Sequence, residues 1–444
     1  MRIKLSDHFN YKRLLSFTLP SIAMMIFSSI YGVVDGFFVS NFAGKTPFAA
    51  VNLIMPFLMI LGTVGFMFGT GGSAVVAKTL GEGDSTLARR YFSLFVYFSF
   101  GLSVVIAVIS FIFMPHISRM LGAEDAEMLA CCTTYGRVIV LALPFCVLQY
   151  ELQSFFVTAE TPKLGLIVTV ASGVTNMVLD AVLVILLPAE YKLLGAAIAT
   201  AMSQTVGGAV PLVYFFSRNS SLLSLGSTAL YGRALARAAV NGSSEFMSNI
   251  SMSVVGILYN FRLMEYAGED GVAAYGVMMY VGMIFCAAFI GYTIGAAPLV
   301  GYNDGASNRT ELRGIFTRSL VIIGSFSLAM TVLSLALSYP LSYLFVGYDE
   351  ALLAITADGF IIFSFAFLFM GFAIFASGFF TALNDGVTSA IISFLRTLVC
   401  QVAAIIVLPI FFELDGVWLS VVVADMMAAV ISAIFLICKR RRFV

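Results

Sequence analysis

Two aspartates, an asparagine and a threonine stand out because they occur where such residues are costly. Asp35, Asn176, Asp180 and Thr200 each fall inside an apolar run long enough to cross a bilayer. An ionisable side chain in a span needs a partner, a water-filled cavity or a function. Asp35 sits near the end of the first run, Asp180 near the end of the fifth, and Thr200 near the start of the sixth. Asn176 precedes Asp180 by one helical turn, so the two share a helix face. With a rise of 1.5 Å per residue, all four fall at a common depth, roughly 8–15 Å below one membrane surface. Two carboxylates, one amide and one hydroxyl at one level can form an oxygen-rich Na⁺ site. They can equally form a carboxylate pair that holds a proton. The plainer alternative is that Asn176 and Thr200 only satisfy nearby backbone.

Other charges enter the spans. Glu245 and Arg396 have similar depth in the seventh and eleventh runs, which predicts a structural ion pair, with Glu245 otherwise a candidate for the substrate cavity. Asp425 has no evident basic partner in the sequence and is expected to line a cavity that attracts cations. Glu151 either lines the same cavity or bonds to a neighbouring helix. Asp358 is close enough to a helix end to need no special role. Met279, one of 21 methionines, is a candidate for an adaptable apolar lining. Pro20 removes a backbone donor in the first span, giving either a gating bend or a static kink.

The elements that must position these residues are helices in lipid. The 444 residues are 60% hydrophobic and 11% charged, with mean hydropathy +1.01, a balance that excludes a soluble domain. Hydropathy predicts twelve helices, roughly 12–40, 48–78, 90–118, 128–158, 163–187, 193–217, 234–265, 271–302, 312–346, 350–382, 387–411 and 416–438. The basic start runs into a long apolar stretch without a cleavage-like site, so it reads as a first membrane helix. The six cysteines form neither a disulfide framework nor a metal set.

The chain also repeats itself. AGKTPFAAV at 43–51 returns as AGEDGVAAY at 267–275, an offset of 224 that carries Met55 to Met279, Gly71 to Gly295 and Gly81 to Gly305. Past a short loop the offset becomes 221, as in Pro188 to Pro409. Two pseudo-symmetric six-helix lobes follow, 1–222 (helices 1–6) and 223–444 (helices 7–12). The polar set does not repeat: Asp35 maps to Tyr259, Asn176 to Thr397, Asp180 to Gln401 and Thr200 to Val421.

Charge sets the expected orientation. With the N-terminus in the cytoplasm, the inside segments hold Arg2, Lys4, Lys12, Arg13, Lys78, Arg218, Arg233 and Lys439 among many others. The outside segments hold only Lys45, Arg119, Arg137, Lys192 and Arg262 as bases, beside acids such as Glu124 and Asp125. This bias predicts a multi-pass protein of a bacterial cell membrane with both termini cytoplasmic.

The sequence resembles the multidrug and toxic compound extrusion (MATE) family, in its DinF-like and MepA-like bacterial branch. The resemblance runs nearly end to end. It is carried by LPSIAMMIFSSIYGVVDGFFVSNFAG (19–44), GTGGSAVVAKTLGEGD (69–84), TNMVLD (175–180), LGAAIAT (194–200), IGAAPLVGYNDGA (294–306) and GVWLSVVVAD (416–425). It implies a V-shaped pair of lobes around a central cavity and antiport of organic, often cationic or amphipathic compounds against H⁺ or Na⁺. It also implies that Asp35, Asn176, Asp180 and Thr200 form the cation-coupling site and that Pro20 is the helix-1 proline linked to bending. Glu245 lies nearer the cytoplasm than the helix-7 acid of some branches, so that role is not carried over to it.

The expected function is efflux by alternating access, with small organic substrates, no cofactor beyond the coupling ion, no nucleic acid, and a monomer in the bilayer. A lipid-linked precursor flippase of the same superfamily is the nearest alternative, but it would favour more basic residues in the cavity than Arg396 alone. An intramembrane enzyme is a weaker one. GTGGSAVVAK is not a P-loop, and only His8 and His116 are available for metal chemistry.

Overall fold

The computed structural model describes residues 3–39, 42, 44–123, 125–217 and 219–443. Arg2, Glu124 and Arg218, counted in the charge bias, and residues 40, 41 and 43 of the resembling segments lie outside them. The described chain is helical apart from residues 3–10, short turns and the linker at 219–231. The first six helices are α1 (Tyr11–Phe38), α2 (Lys45–Gly81), α3 (Ser85–Met120), α4 (Ala126–Thr158), α5 (Pro162–Leu186) and α6 (Lys192–Phe216). A long helical run, Gly232–Gly305, is broken at Gly268, whose φ of 60° and ψ of −146° turn the chain back. It is therefore two helices, α7 (232–267) and α8 (269–305). Their packing shows the reversal, since Tyr259 stacks on Tyr275 with ring centroids 5.1 Å apart.

The remaining helices are α9 (Arg309–Val346) and α10, made of Glu350–Ser364 and Phe367–Ala382 bent by 49°. A second run, 386–438, is broken at Glu413 (φ 49°, ψ −125°), giving α11 (386–412) and α12 (414–438). Twelve spans result, as hydropathy predicts, with ends displaced by a few residues. This is a multi-pass, all-helical membrane protein. α1 passes through Pro20 without a non-helical residue.

Both ends of the described chain lie on one face, called here the terminus face. The Leu5 amide donates to Glu160 at 2.8 Å, Phe9 donates to Glu311 at 2.8 Å, and Phe443 packs on Phe316 and Phe379. The opposite surface is the far face.

The two halves meet near the terminus face, and glycines set how closely. A Cβ on Gly71 would run into the Ala238 carbonyl, and one on Gly242 into that of Met67, so α2 and α7 touch backbone to backbone. Likewise Gly81 lies against Tyr302 and Gly305 against Lys78, where α2 crosses α8. Gly295 meets Thr18 of α1 with a Cβ distance of 2.9 Å. These contacts follow the sequence repeat: adding 224 to Gly71 gives Gly295, and subtracting it from Gly242 gives Thr18. In lipid, where apolar burial drives little association, such close packing is what holds helices together. Polar ties reinforce the seam. Lys78 reaches Asp304 at 2.9 Å, and Asn384 donates to the Ala74 carbonyl at 3.1 Å.

A Gly242→Val substitution is expected to force α2 and α7 apart, with the roughly 1–3 kcal/mol penalty of an overpacked contact. A lower thermal unfolding midpoint of the detergent-solubilised protein would show it; a wild-type midpoint would contradict the close packing.

The C-terminus is fastened by Asp385, which accepts from Lys439 at 2.6 Å and from Arg442 at 3.2 Å. Burial pushes the Asp385 carboxyl up. The hydrogen bonds from Lys439 and Thr388 outweigh that and leave it below its ordinary range. A depressed folded value means that the tie is fully present above the unfolded carboxylate value of about 3.9 and is lost as pH falls through the lower folded value. Hydrogen exchange at residues 438–443 should therefore stay slow down to about pH 4 and rise below it. In Asp385→Asn it should be fast already at neutral pH.

Candidate functional site

α1, α5 and α6 bring the predicted quartet together. The first and fifth helices pack side by side, as do the fifth and sixth. Gly173 makes room for this, since a Cβ there would strike Phe27 and press on Tyr31 at 2.9 Å. Asp35, 8% exposed, accepts through Oδ1 from Thr200 Oγ1 at 3.1 Å and from Asn176 Nδ2 at 3.4 Å. Asn176 and Thr200 thus serve the carboxylate and not merely their own backbone.

Asp180 faces Asp35 across the site and is fully buried. Neither of its carboxylate oxygens has a donor among the described residues, and the Asn176 Oδ1 has none either. Two carboxylates are both acceptors, so they satisfy one another only when a proton or a cation lies between them. Among the described residues no lysine or arginine is paired with either acid. The donor set of carboxylate, amide and hydroxyl oxygens fits a hard monovalent cation, and the carboxyl pair alone fits a proton. Among the described residues no group of three His, Cys, Asp or Glu gathers as for a transition metal.

The structure adds residues that sequence reasoning missed. Tyr135 of α4 is buried against Thr200 and both acids. From there polar side chains continue through the first half: Gln149 donates to Ser172 at 3.4 Å, and Ser172 and Ser203 bond across α5 and α6 at 3.0 Å. A tyrosine or glutamine within a span carries no charge, so only its depth and face would have distinguished it.

A cavity of about 100 Å³ adjoins the quartet. Met55, Met59, Phe66, Tyr135, Tyr150, Gln204 and Thr200 line it, and Asn249 of α7 reaches it from the other half. Phe66 and Tyr150 stack with centroids 4.2 Å apart, giving a flat aromatic wall. Thr200 belongs to both features: its hydroxyl donates to Asp35, and its side chain lines the cavity.

The candidates for a substrate lining fare differently. Met279 is half-buried and does not line this cavity, whereas its repeat partner Met55 does. Glu151 is fully buried between α3 and α4, where Ser99 donates to its carboxylate, so it follows the helix-bonding alternative. Glu245 and Arg396 do not form the expected ion pair, although each lies in the other's field. Asp425 has a basic neighbour after all, because Arg396 also acts on it. Depth along the helices suggested the pairing, but it could not show that α12 brings a second acid to the same guanidinium.

The repeat-related position in the second half is neutral and closed. Tyr259 Oη donates to Gln401 Oε1 at 2.8 Å and lies 2.8 Å from Ser420 Oγ. Tyr259 and Gln401 are the counterparts of Asp35 and Asp180, and they do meet in space. One half holds a facing acid pair whose Asp180 has no donor among the described residues, and the other holds a hydrogen-bonded neutral triad.

Comparison with known proteins follows this geometry. The model of the family described as MatE matches residues 20–182 and 246–407, one stretch in each half. The chain is 24% identical over 434 residues to the multidrug export protein MepA of Staphylococcus aureus (strain MRSA252), covering 97% of this chain and 94% of that protein. It is 26% identical over 440 residues to MepA of Staphylococcus haemolyticus (strain JCSC1435), with the same coverage. A crystal structure of MATE in complex with MaL6 superposes with a TM-score of 0.91 at 22% identity, covering 98% of this chain and 97% of that one.

Asp180 has no donor for either carboxylate oxygen among the described residues. Asp180→Asn keeps the volume and adds two N–H donors facing the Asp35 carboxylate, so it is expected to raise the thermal unfolding midpoint of the detergent-solubilised protein. A midpoint at or below the wild-type value would contradict the facing pair.

Proposed function

The chain belongs to the MatE family, a family of membrane transporters and not of enzymes, and on that premise we propose that it exports small organic compounds from the cytoplasm in exchange for H⁺ or Na⁺. The observation that carries this reading is the double role of Thr200, bonded to Asp35 on one side and lining the cavity on the other. An ion that binds Asp35 and Asp180 competes for the hydroxyl that also shapes the compound's binding surface. The similar MepA proteins are named as multidrug export proteins, which supports varied organic substrates here. The methionine and aromatic lining suits such a range, because thioethers and flat rings adapt to many apolar shapes.

The positive-inside bias supports a cytoplasmic terminus face in a bacterial cell membrane. The quartet then lies toward the outside, and the glycine seam closes the cytoplasmic side. This is the arrangement of an outward-facing state, ready to take a cation from outside. The two-lobe division at 222/223 and a monomeric working unit complete the proposal. Cation binding at Asp35 and Asp180 favours the inward-facing state and displaces the compound; release inside permits reloading and return. A membrane potential of roughly 150 mV supplies about 3.5 kcal/mol per charge, enough for a concentration ratio of several hundred.

The test is transport of an organic cation by purified protein in proteoliposomes under separate proton and sodium gradients. One of the two gradients should drive wild-type transport. Asp35→Asn and Asp180→Asn should lower the driven rate at least tenfold while inserting at wild-type levels. Wild-type rates from both variants would sink the coupling assignment.

A further inference from the structure

The second half holds its own charged group, and nothing above gives it a role. Arg396 of α11 lies in electrostatic reach of Glu245 on α7 and of Asp425 on α12, and Cys286 of α8 faces all three. The three charges are ordered in depth. Measured from the terminus-face level where Gly386 packs on Asn241, Glu245 is about 6 Å in and Arg396 about 15 Å. Asp425 is about 21 Å from Lys439.

Arg396 is unusual in two respects. It sits in a six-residue π-helical segment, Leu395–Cys400, a wider turn that occurs mostly at functional sites. Its guanidinium also makes no hydrogen bond or ion pair among the described residues, although the side chain is only half-buried. Five N–H donors deep in a membrane protein without a protein acceptor mark a surface for an anionic group. Asp425 supplies the opposite sign. It is 2% exposed, and its Oδ2 has no donor among the described residues. Glu245, half-buried, adds a second carboxylate.

We propose that Arg396, Asp425 and Glu245 form a second binding site, in the second half, for amphipathic zwitterions, with Arg396 taking a carboxylate and Asp425 taking the cationic end, while Glu245 bounds the site toward the terminus face. A purely structural triad would close its charges into ion pairs, since an unpaired buried charge is costly. The repeat sharpens the contrast. The counterparts of Glu245, Arg396 and Asp425 in the first half are Ser21, Thr175 and Gln204, all neutral. The site therefore selects among compounds by charge pattern, separately from the quartet that binds the driving ion. This inference rests on the export reading.

The test compares rhodamine B with its ethyl ester. The two share a delocalised cation and differ in one free carboxylate. In proteoliposomes, Arg396→Gln should lower the ratio of rhodamine B transport to ester transport at least tenfold, and Arg396→Lys should lower it less. Asp425→Asn should depress both compounds by a similar factor. A wild-type ratio in an Arg396→Gln protein that still moves the ester would overturn the site, as would a wild type that moves the ester alone. Transport of neither compound by the wild type under any gradient would instead defeat the export reading. Should Arg396→Gln fail to fold, modification of Cys286 by a maleimide decides the matter in the wild type. Rhodamine B should slow it more than the ester does, and equal rates with both would overturn the proposal.

Discussion

The structure depends on two buried carboxyls, Asp35 and Asp180, that face each other without a basic partner. Their neighbours are arranged for them: Thr200 and Asn176 donate to Asp35, while Asp180 is left with no donor among the described residues. Two like charges about 4 Å apart repel by about 4 kcal/mol even at an effective dielectric near 20. That is close to the 3.5 kcal/mol or so that a membrane potential supplies per charge. A proton or cation that relieves the repulsion therefore acts on the scale needed to tip a conformational balance. A neutral or arginine-paired site would not have that property.

The same frame is built twice and charged differently. At the level of the quartet, the first half has its acids and the second has Tyr259, Gln401 and Ser420 bonded to each other. Between the quartet and the terminus face the assignment is reversed, with Ser21, Thr175 and Gln204 in the first half and Glu245, Arg396 and Asp425 in the second. The packing residues show the opposite behaviour. Gly71 against α7 and Gly295 against α1 are the same contact made twice. Duplication thus preserves the seam on which the halves can move and leaves each half to specialise its interior. The neutral triad, with its groups bonded to each other, offers no carboxylate to a cation.

Much of this was legible in the sequence, for a physical reason. Hydrocarbon forces helices of one length, so hydropathy locates twelve of them, and charge in a span is rare enough that Asp35 and Asp180 announce themselves. Helix rise then gives the depth of each, and equal depth placed the quartet correctly. Depth does not give azimuth, however. Glu245 and Arg396 were expected to pair because their depths are alike, yet Arg396 is shared with Asp425. Tyr135 and Gln149 escaped because an uncharged polar residue in a span is common and only its face reveals its neighbours. The cavity lining was misplaced for the same reason: Met279 and Met55 are equivalent in the repeat, and only the fold shows that the cavity lies beside Met55.

In the proposed exchange the link from ion to movement runs along α1. Its far end carries Asp35, and its terminus-face end packs Thr18, Ser21 and Ile22 against Gly291 and Gly295 of α8. One helix thus touches both the ion site and the seam between halves. Pro20 falls inside that contact, and it is buried. Proline has no N–H for the carbonyl one turn earlier, so the helix is held there by one bond fewer than elsewhere. The helix is continuous through Pro20, at the place where it packs on the seam. In the proposed exchange a change at Asp35 would reach the seam as a tilt or bend of α1, and Pro20 puts the missing backbone bond where the halves touch. Thr18 strengthens the case: its hydroxyl bonds to Leu14 at 2.9 Å within α1, while its side chain fills the space over Gly295. The contact between α1 and α8 is therefore a small side chain on a glycine; the Lys78–Asp304 pair of the seam ties α2, and not α1, to α8.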